Sequence, residues 1–399
     1  MKAVHLLGAL LILGLVLVAC GPTPTPQFSY EDEWGVVIVK KGEPIRIGFG
    51  AALSGAGLDV LGIDEQRGAE LAVADKKDIL GFAIELVSED DLCSAEGGVT
   101  VANKFVADPS IVAVIGQMCS SGSLAAMDIY EQNHYTMVSP SSTGAMLTMR
   151  GNKAFFRVCW NDVIQGAAAA KFIYENLGLT KIATVHDGSP YGEGLVGLVA
   201  EGIKELGGEV VAQEAVNVGD TDMRPLLERI KAAGPQLIYF GGFVAEGAYL
   251  AAQRADVGMK DVVFMGADGI LATDFIEAAG DAAEGVYASA ANPAEAGEGM
   301  PTFLEAYKAK YGEEPPAPFH AHAYDAAIVI MNAIAQVGKV DPEGNLHIGR
   351  KALNDAIRAT KDNKGLSGTI TCEADGDCGT GTVAVSQVQN GAYVTIWPK

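Results

Sequence analysis

The sequence is poor in positive charge: 28 Lys and Arg residues stand against 50 Asp and Glu residues, and the formal net charge is −22 at pH 7. A chain this acidic lacks the basic face that nucleic-acid phosphates or an anionic lipid surface require. It also has no CxxC pair and no cluster of histidines, so no metal site is indicated. We therefore expect no nucleic-acid partner, no charge-driven lipid contact, no metal and no other cofactor.

Long hydrophobic runs are also scarce. The one strongly apolar run, residues 6–18, follows Lys2 and is too short to span a bilayer. It ends in Leu-Val-Ala before Cys20, which is typical of a lipoprotein signal peptide over residues 1–19. We predict that Cys20 carries the acyl chains and that residues 20–43, which begin with alternating Pro and Thr, form a tether outside the cytoplasm. An ordinary signal peptide with an incidental Cys20 is the alternative.

Five cysteines follow the lipobox, and an exported protein can form disulfides. The turn-forming run between Cys372 and Cys378 favours a disulfide across a hairpin. Spacing does not fix the other pairing. We favour Cys93 with Cys119, which leaves Cys159 free, and a metal site is the less supported alternative.

From residue 45 onward, short β-rich runs alternate with Ala-rich helical stretches. This alternation predicts βαβ units, and hence an α/β fold with doubly wound parallel sheets. A single core stops growing at about 250–300 residues, so we expect two lobes. The predicted strands are 45–51, 82–88, 111–115, 135–138, 182–186, 209–215, 237–240, 262–265 and 285–289. The predicted helices include 66–75, 97–107, 124–130, 167–175, 193–206, 223–233 and 245–255.

In such sheets, ligands bind beyond the carboxyl ends of the strands, where loops enter helices with unpaired N–H groups. Ser120 precedes a predicted helix and could help to bind a carboxylate. The loop at 139–143 offers hydroxyls and carbonyls to an ammonium group, and Asp268 could neutralise it. Taken alone, Ser120 and the 139–143 loop are equally well explained as a helix cap and a turn, and Asp268 is better explained as a turn or cap residue. Together they indicate a ligand site.

Three enzyme-like patterns are incomplete. Residues 48–55 read GxGxxxxG instead of the dinucleotide-binding GxGxxG. The string at 186–189 contains His, Asp and Ser but no GxSxG elbow, and residues adjacent in sequence rarely form a triad. His320 and His322, two residues apart on a predicted helix, point to different faces. We therefore expect a binding protein and no enzyme.

Several loop strings, taken in order and spacing, match one family. The chain resembles the periplasmic leucine/isoleucine/valine-binding proteins, the type I substrate-binding proteins of ABC importers, over residues 44–397. The matching strings are Ser54-Gly55, Gly68-Ala-Glu-Leu-Ala-Val73, Asp90-Asp-Leu-Cys93, Val101-Ala-Asn-Lys104, Cys119-Ser-Ser, Asp128-Ile-Tyr-Glu131, Ser139-Pro140 with Thr143, His186-Asp187, Tyr191-Gly-Glu-Gly194, Gly241-Gly242 and Ala279-Gly-Asp-Ala-Ala-Glu-Gly285.

The resemblance implies two discontinuous lobes joined by three chain crossings near Trp160, Ala290 and Leu366. Lobe 1 would comprise residues 44–160 and 291–365, and lobe 2 residues 161–290 and 366–399. The resemblance also implies a disulfide between Cys93 and Cys119. For Cys372 with Cys378 it adds little support, so that pairing depends on spacing.

The resemblance assigns the two poles of an amino acid to particular residues. Ser120 stands where the family binds the ligand carboxylate. Ser141 and Thr143 stand where a backbone carbonyl and a hydroxyl hold the ammonium group. Tyr191 matches an aromatic residue that closes over the ligand, and Asp268 replaces the family's Glu with a reach that is one methylene shorter.

Three further positions describe the side-chain pocket. Leu61 and Phe243 replace tyrosines of the leucine-binding members, and Phe319 matches an aromatic residue. These apolar walls favour an aliphatic or aromatic ligand side chain, and burying a leucine-sized group contributes about 2 kcal/mol.

The resemblance implies a lipid-anchored, monomeric substrate-binding protein that closes its cleft on an amino acid and delivers it to a membrane permease. The alternatives are an amide, urea or aromatic acid as the ligand, or a ligand sensor for a separate signalling protein.

Overall fold

The computed structural model describes residues 28–55, 57–379 and 381–398. The predicted signal peptide, Cys20 and the first part of the tether lie outside the described residues. Within the described ranges, no helix combines the length and the apolar character needed to cross a bilayer.

A six-stranded sheet forms the centre of the first lobe. All neighbouring strands are parallel except the short first edge strand, which pairs antiparallel. Met137 and Val138 point to opposite faces, as adjacent strand residues must, and each packs into a separate core. In spatial order the strands are β3 (Asp78–Ile79), β4 (Phe82–Asp90), β2 (Ile45–Ala51), β5 (Ile111–Gly116), β6 (Met137–Ser139) and β7 (Phe155–Arg157).

Helices cover both faces of this sheet. One layer contains α2 (Ala95–Ala107) and α3 (Ser120–Gln132), and the other contains α1 (Asp59–Lys76), α11 (His320–Val337) and α12 (Arg350–Arg358). The short helix α4 (Met146–Met149) contacts α3, and α10 (Met300–Tyr311) contacts α1.

A seven-stranded sheet forms the centre of the second lobe. The five strands that come first in the chain are parallel to one another. The sixth pairs antiparallel with the fifth, and the seventh pairs antiparallel with the sixth. In spatial order they are β18 (Ala392–Trp397), β17 (Val383–Gln389), β12 (Tyr287–Ala291), β11 (Val263–Gly266), β10 (Leu237–Gly241), β8 (Lys181–His186) and β9 (Glu209–Ala215).

The second sheet is also covered on both faces. Leu237 and Tyr239 share a core with α5 (Asp162–Lys171), which continues into a π-helical turn (Phe172–Asn176), and with α6 (Pro190–Glu205). Ile238 and Phe240 face the other layer. That layer consists of α7 (Arg224–Ala233), α8 (Val244–Gln253) and α9 (Thr273–Ala279). Short 3₁₀ turns occur at Asp268–Ile270, Gly280–Ala283 and Pro293–Glu295.

The chain passes between the two sheets three times: after β7, after β12 and before β17. The predicted α/β class with two doubly wound lobes is therefore confirmed. The C-terminal hairpin of β17 and β18 was not predicted, because the strands expected from the sequence end at residue 289. Asn390 and Gly391 adopt positive φ between those strands, which suits a tight two-residue hairpin turn.

The remaining strands form small sheets outside the two lobe centres. The first is three-stranded and antiparallel, with order β1 (Val36–Val39), β14 (Leu346–Gly349) and β13 (Lys339–Val340). The second pairs β15 (Asn363–Lys364) with β16 (Thr369–Ile370).

Two disulfides are present among the described residues. Cys93, in the loop after β4, is bonded to Cys119, directly before α3. Cys372 is bonded to Cys378 and closes a small ring before β17. Both pairings agree with the prediction, and Cys159 is free and buried.

Candidate functional site

A cavity lies between the two lobes, and the empty space within it, together with the part that is open to solvent, is about 320 Å³. The eight residues predicted to contact a ligand all line it, although they come from distant parts of the sequence. They are Leu61, Ser120, Ser141, Thr143, Tyr191, Phe243, Asp268 and Phe319. Four residues that the sequence analysis did not select also line it: Glu65, Met118, Cys119 and Gly269.

One wall of the cavity is the start of α3. Cys119 is the N-cap residue in an extended conformation, and its side chain makes no capping hydrogen bond because it is in the disulfide. The first backbone N–H groups of a helix have no intrahelical acceptor, and they carry the positive end of the helix dipole. The Ser120 hydroxyl lies at the same point and accepts a hydrogen bond from the Gly144 N–H (3.1 Å). This wall can bind a carboxylate.

The loop after β6 forms the adjacent wall. The Ser141 hydroxyl donates to the Met118 carbonyl (2.9 Å), so its backbone carbonyl is the group that remains for a ligand. The Thr143 carbonyl accepts a hydrogen bond from the Asp162 N–H (2.9 Å), which links this loop to the start of α5. Ser141 and Thr143 therefore offer a carbonyl and a hydroxyl close to Ser120.

Asp268 lies across the cavity at the end of β11, in a 3₁₀ turn. Its Oδ1 accepts hydrogen bonds from Gln165 Nε2 (2.7 Å) and from the Tyr191 hydroxyl (3.0 Å). Both bonds go to Oδ1, so Oδ2 is the oxygen available to a ligand. Burial raises the pKa of Asp268 to about 6, although the two donors oppose the rise. A nearby cation would restore the ionised form.

Asp162 is a second acidic group at this end, and the sequence analysis missed it. It is the first residue of α5, it is buried, and neither carboxylate oxygen has a hydrogen-bond partner among the described residues. Burial and the charge of Asp268 raise its pKa to about 7, although the nearby Thr143 hydroxyl lowers it in part. The available signal was an acidic residue directly after the N-cap Asn161, but this pattern is common at helix starts.

Glu65, on α1, is a third buried carboxyl group, and it lines the cavity near Ser141. It is fully buried, and its two oxygens have no hydrogen-bond partner among the described residues. Burial raises its pKa well above the usual value, and the charges of Asp64 and Asp91 add to this while the nearby Ser141 hydroxyl opposes it. Burial therefore favours the neutral, protonated form of Glu65.

Apolar side chains complete the enclosure. Leu61, Met118 and Phe319 are buried at the cavity wall. The Phe243 ring lies 5.4 Å from the Tyr191 ring, and the Phe319 ring stacks on Trp160 at 5.4 Å. These contacts restrict the movement of the aromatic rings. The cavity therefore has one polar half and one rigid, apolar half.

No group of three or more His, Cys, Asp or Glu side chains is arranged to hold a metal ion in the part of the chain that the structure describes. His320 is instead hydrogen-bonded to Asp64 and to the Ala317 carbonyl.

Two sheet-centred lobes with a cavity between them, joined by three chain passages, define the type I class of periplasmic binding folds. The chain belongs to the periplasmic binding protein family, whose model matches residues 44–392.

Named relatives agree with this assignment. The chain is 38% identical to the leucine-, isoleucine-, valine-, threonine- and alanine-binding protein of Pseudomonas aeruginosa over 263 residues, which is 66% of this chain and 70% of that protein. The crystal structure of a leucine-binding protein from Thermotoga maritima superposes with a TM-score of 0.81 at 31% identity, covering 88% of this chain and 97% of that chain. A branched-chain amino acid transporter substrate-binding protein from Streptococcus pneumoniae, in complex with isoleucine, gives a TM-score of 0.78 at 28% identity, covering 89% and 100%.

Proposed function

We propose that this chain is the substrate-binding component of an ABC importer and that it binds an amino acid with an apolar side chain, a branched-chain amino acid foremost. The observation that supports this proposal most directly is the arrangement of the cavity. A helix start with hydroxyls lines one pole, the Asp268 carboxyl group lines the other, and the buried Asp162 carboxyl group lies close to Asp268 and Thr143. The named ligands of the relatives support this choice. Binding requires no bond to be made or broken, so we propose no catalytic role.

The polar half would hold the zwitterion. The ligand carboxylate accepts hydrogen bonds from the first N–H groups of α3 and from the Ser120 hydroxyl. The ammonium group lies among the Ser141 carbonyl, the Thr143 hydroxyl and the carboxylates of Asp162 and Asp268. An ammonium ion at this point would offset part of the cost of burying these carboxylates.

The apolar half would hold the side chain. Leu61, Met118, Phe243 and Phe319 surround it, and burial of a leucine-sized group contributes about 2 kcal/mol. Such walls favour leucine over alanine but separate leucine, isoleucine and valine weakly.

We propose that the described arrangement is a closed form and that the lobes separate to admit the ligand. The two lobes are in close contact, since a Cβ added to Gly57 of the first lobe would lie 3.0 Å from Val244 of the second lobe. The ligand stabilises the closed form because it contacts both lobes. The lobes would comprise residues 44–160 with 291–365, and 161–290 with 366–399.

We further propose that the mature protein is an extracytoplasmic monomer anchored through acylated Cys20, and that the closed form is recognised by a membrane permease. Labelling of whole cells with a fatty-acid analogue, compared between wild type and Cys20→Ser, tests the anchor. Equal labelling of the two would refute it.

Calorimetric titration of the purified domain with leucine, isoleucine, valine and alanine tests the ligand class. We expect binding of the branched-chain amino acids and a loss of about tenfold or more for Asp268→Ala, which removes a charged hydrogen-bond acceptor. Asp281→Ala, on the surface of the same lobe, serves as the control. Absence of heat with every amino acid, or unchanged affinity in Asp268→Ala, would overturn the proposal.

A further inference from the structure

Arg157 does not line the cavity, yet its guanidinium group holds the loop that does. It is fully buried at the end of β7. Its Nη1 donates to three consecutive carbonyls, those of Ser142 (3.2 Å), Thr143 (2.9 Å) and Gly144 (2.9 Å). Three converging carbonyls fix the peptide planes on both sides of Thr143, so Arg157 sets the position of the proposed ammonium contact.

Asp377 in turn holds Arg157. Its carboxylate accepts from Arg157 Nε (3.0 Å) and Nη2 (2.9 Å), a bidentate pair. The segment at 376–378 also meets β7 through the backbone, because the Cys378 N–H donates to the Arg157 carbonyl (2.9 Å) and the Arg157 N–H donates to the Gly376 carbonyl (3.1 Å). A buried guanidinium needs such a partner, since without it a charge would remain uncompensated.

Asp377 also contacts the other side of the ammonium site. Its Oδ2 accepts from Asn161 Nδ2 (2.9 Å), while Asn161 Oδ1 caps α5 by accepting from the Val163 N–H (3.0 Å). Asp162 is the next residue. The Asp377 carboxylate therefore supports two parts of the site. It acts through Arg157 on the loop that contains Thr143, and through Asn161 on the helix start that contains Asp162.

The disulfide ring fixes Asp377. Cys372 and Cys378 close a loop in which the Glu373 N–H donates to the Asp377 carbonyl (2.7 Å). Gly376 has a φ of +95°, and a Cβ at this position would lie 2.3 Å from the Phe155 carbonyl. The disulfide ring therefore packs directly against the backbone of β7. The ring leaves Asp377 little freedom to move away from Arg157.

We propose that the Cys372–Cys378 ring is a positioning element of the ligand site, acting through Asp377 on Arg157 and Asn161. Opening the ring or removing Asp377 lowers the affinity for an amino acid although neither touches it. This inference rests on the proposed function, because it assumes that the site between Thr143 and Asp162 receives an ammonium group.

The test compares Asp377→Ala and the double variant Cys372→Ser/Cys378→Ser with wild type. Leucine affinity is measured by calorimetry, and backbone amide exchange of residues 141–148 and 161–166 by mass spectrometry. Asp32→Ala is the matched control, because Asp32 accepts three backbone N–H bonds, from Trp34, Lys351 and Ala352, at a distance from the cavity. Asp377→Asn is the fallback if Asp377→Ala fails to fold.

We expect Asp377→Ala and the cysteine double variant to bind leucine at least about tenfold more weakly than wild type. Backbone amide exchange should be faster in residues 141–148 and 161–166. The control should keep its affinity and the exchange rates of those segments. Wild-type affinity and wild-type exchange in the Asp377 and cysteine variants would overturn the inference. Failure of the wild type to bind any amino acid would instead refute the proposed function, and the exchange rates would still decide whether the ring positions the loop.

Discussion

Replacing Asp162 by Asn should stabilise the empty protein and weaken ligand binding, a combination that few substitutions produce. Burial and Asp268 raise the Asp162 pKa from 3.8 to about 7. Because the folded pKa lies above the unfolded value, the folded state holds an extra proton between about pH 4 and pH 7. Stability is lost as the pH rises through this window, and by pH 8 the loss is about 4 kcal/mol.

The Asp162→Asn variant escapes this loss because it cannot ionise. Its amide must still be desolvated, so we expect the ligand-free variant to be more stable than wild type by about 1–4 kcal/mol at pH 8. The gain should fall to less than half at pH 5, where wild-type Asp162 is mostly protonated. Leucine binding at pH 8 should weaken by about tenfold to a hundredfold, since the ammonium group loses a charged partner.

Urea unfolding at pH 5 and pH 8, with calorimetric titration of leucine at pH 8, measures both effects. Asp59→Asn is the control, because Asp59 occupies the equivalent first turn of α1 but is only partly buried. A variant that is less stable than wild type at pH 8, or that binds leucine as tightly, would refute the reasoning.

Two further predictions concern the cavity wall. Burial raises the pKa of Glu65 and so favours its protonated form. Glu65→Gln replaces this group by a neutral amide, so leucine affinity at pH 7, measured by calorimetry, should change less than about threefold. A tenfold loss of affinity would show that ionised Glu65 contributes to binding. The double variant Cys93→Ser/Cys119→Ser removes a crosslink spanning a sequence separation of 26, so the unfolding free energy measured in denaturant titrations should fall by about 3 kcal/mol. Leucine affinity should fall as well, because the start of α3 is no longer held by the disulfide. If neither the unfolding free energy nor the affinity changes, the disulfide does not have this role.

Much of the fold could be predicted because the alternation of β-rich and Ala-rich segments is strong. The strands at 45–51 and 209–215 have the predicted bounds. The loops that follow the strands were identified for the same reason, since a parallel sheet gathers them at one edge. The C-terminal strands were missed because they form an antiparallel hairpin outside that alternation.

The acidic groups of the site were harder to predict. Glu65 lies within α1, and four of the six residues at 64–67 and 70–71 are charged, which resembles a solvated helix face. Its burial depends on contacts between distant segments: a Cβ at Gly62 would lie 1.8 Å from the Ala52 carbonyl, and one at Gly68 would lie 2.1 Å from the His320 carbonyl. Helix α1 can approach its neighbours this closely only because those positions are glycine. No local pattern reveals such contacts.

Two kinds of group line the cavity, and each kind would contact a different part of the ligand. In the proposed complex, the poles of the zwitterion would meet backbone amides, carbonyls and short polar side chains held by the frame of the fold, whereas the walls are single side chains such as Leu61, Phe243 and Phe319. Exchanging one wall residue should therefore alter the preferred ligand without rebuilding the frame. Such a scaffold can diversify in evolution, or be re-engineered as a metabolite biosensor, by a few substitutions at these walls.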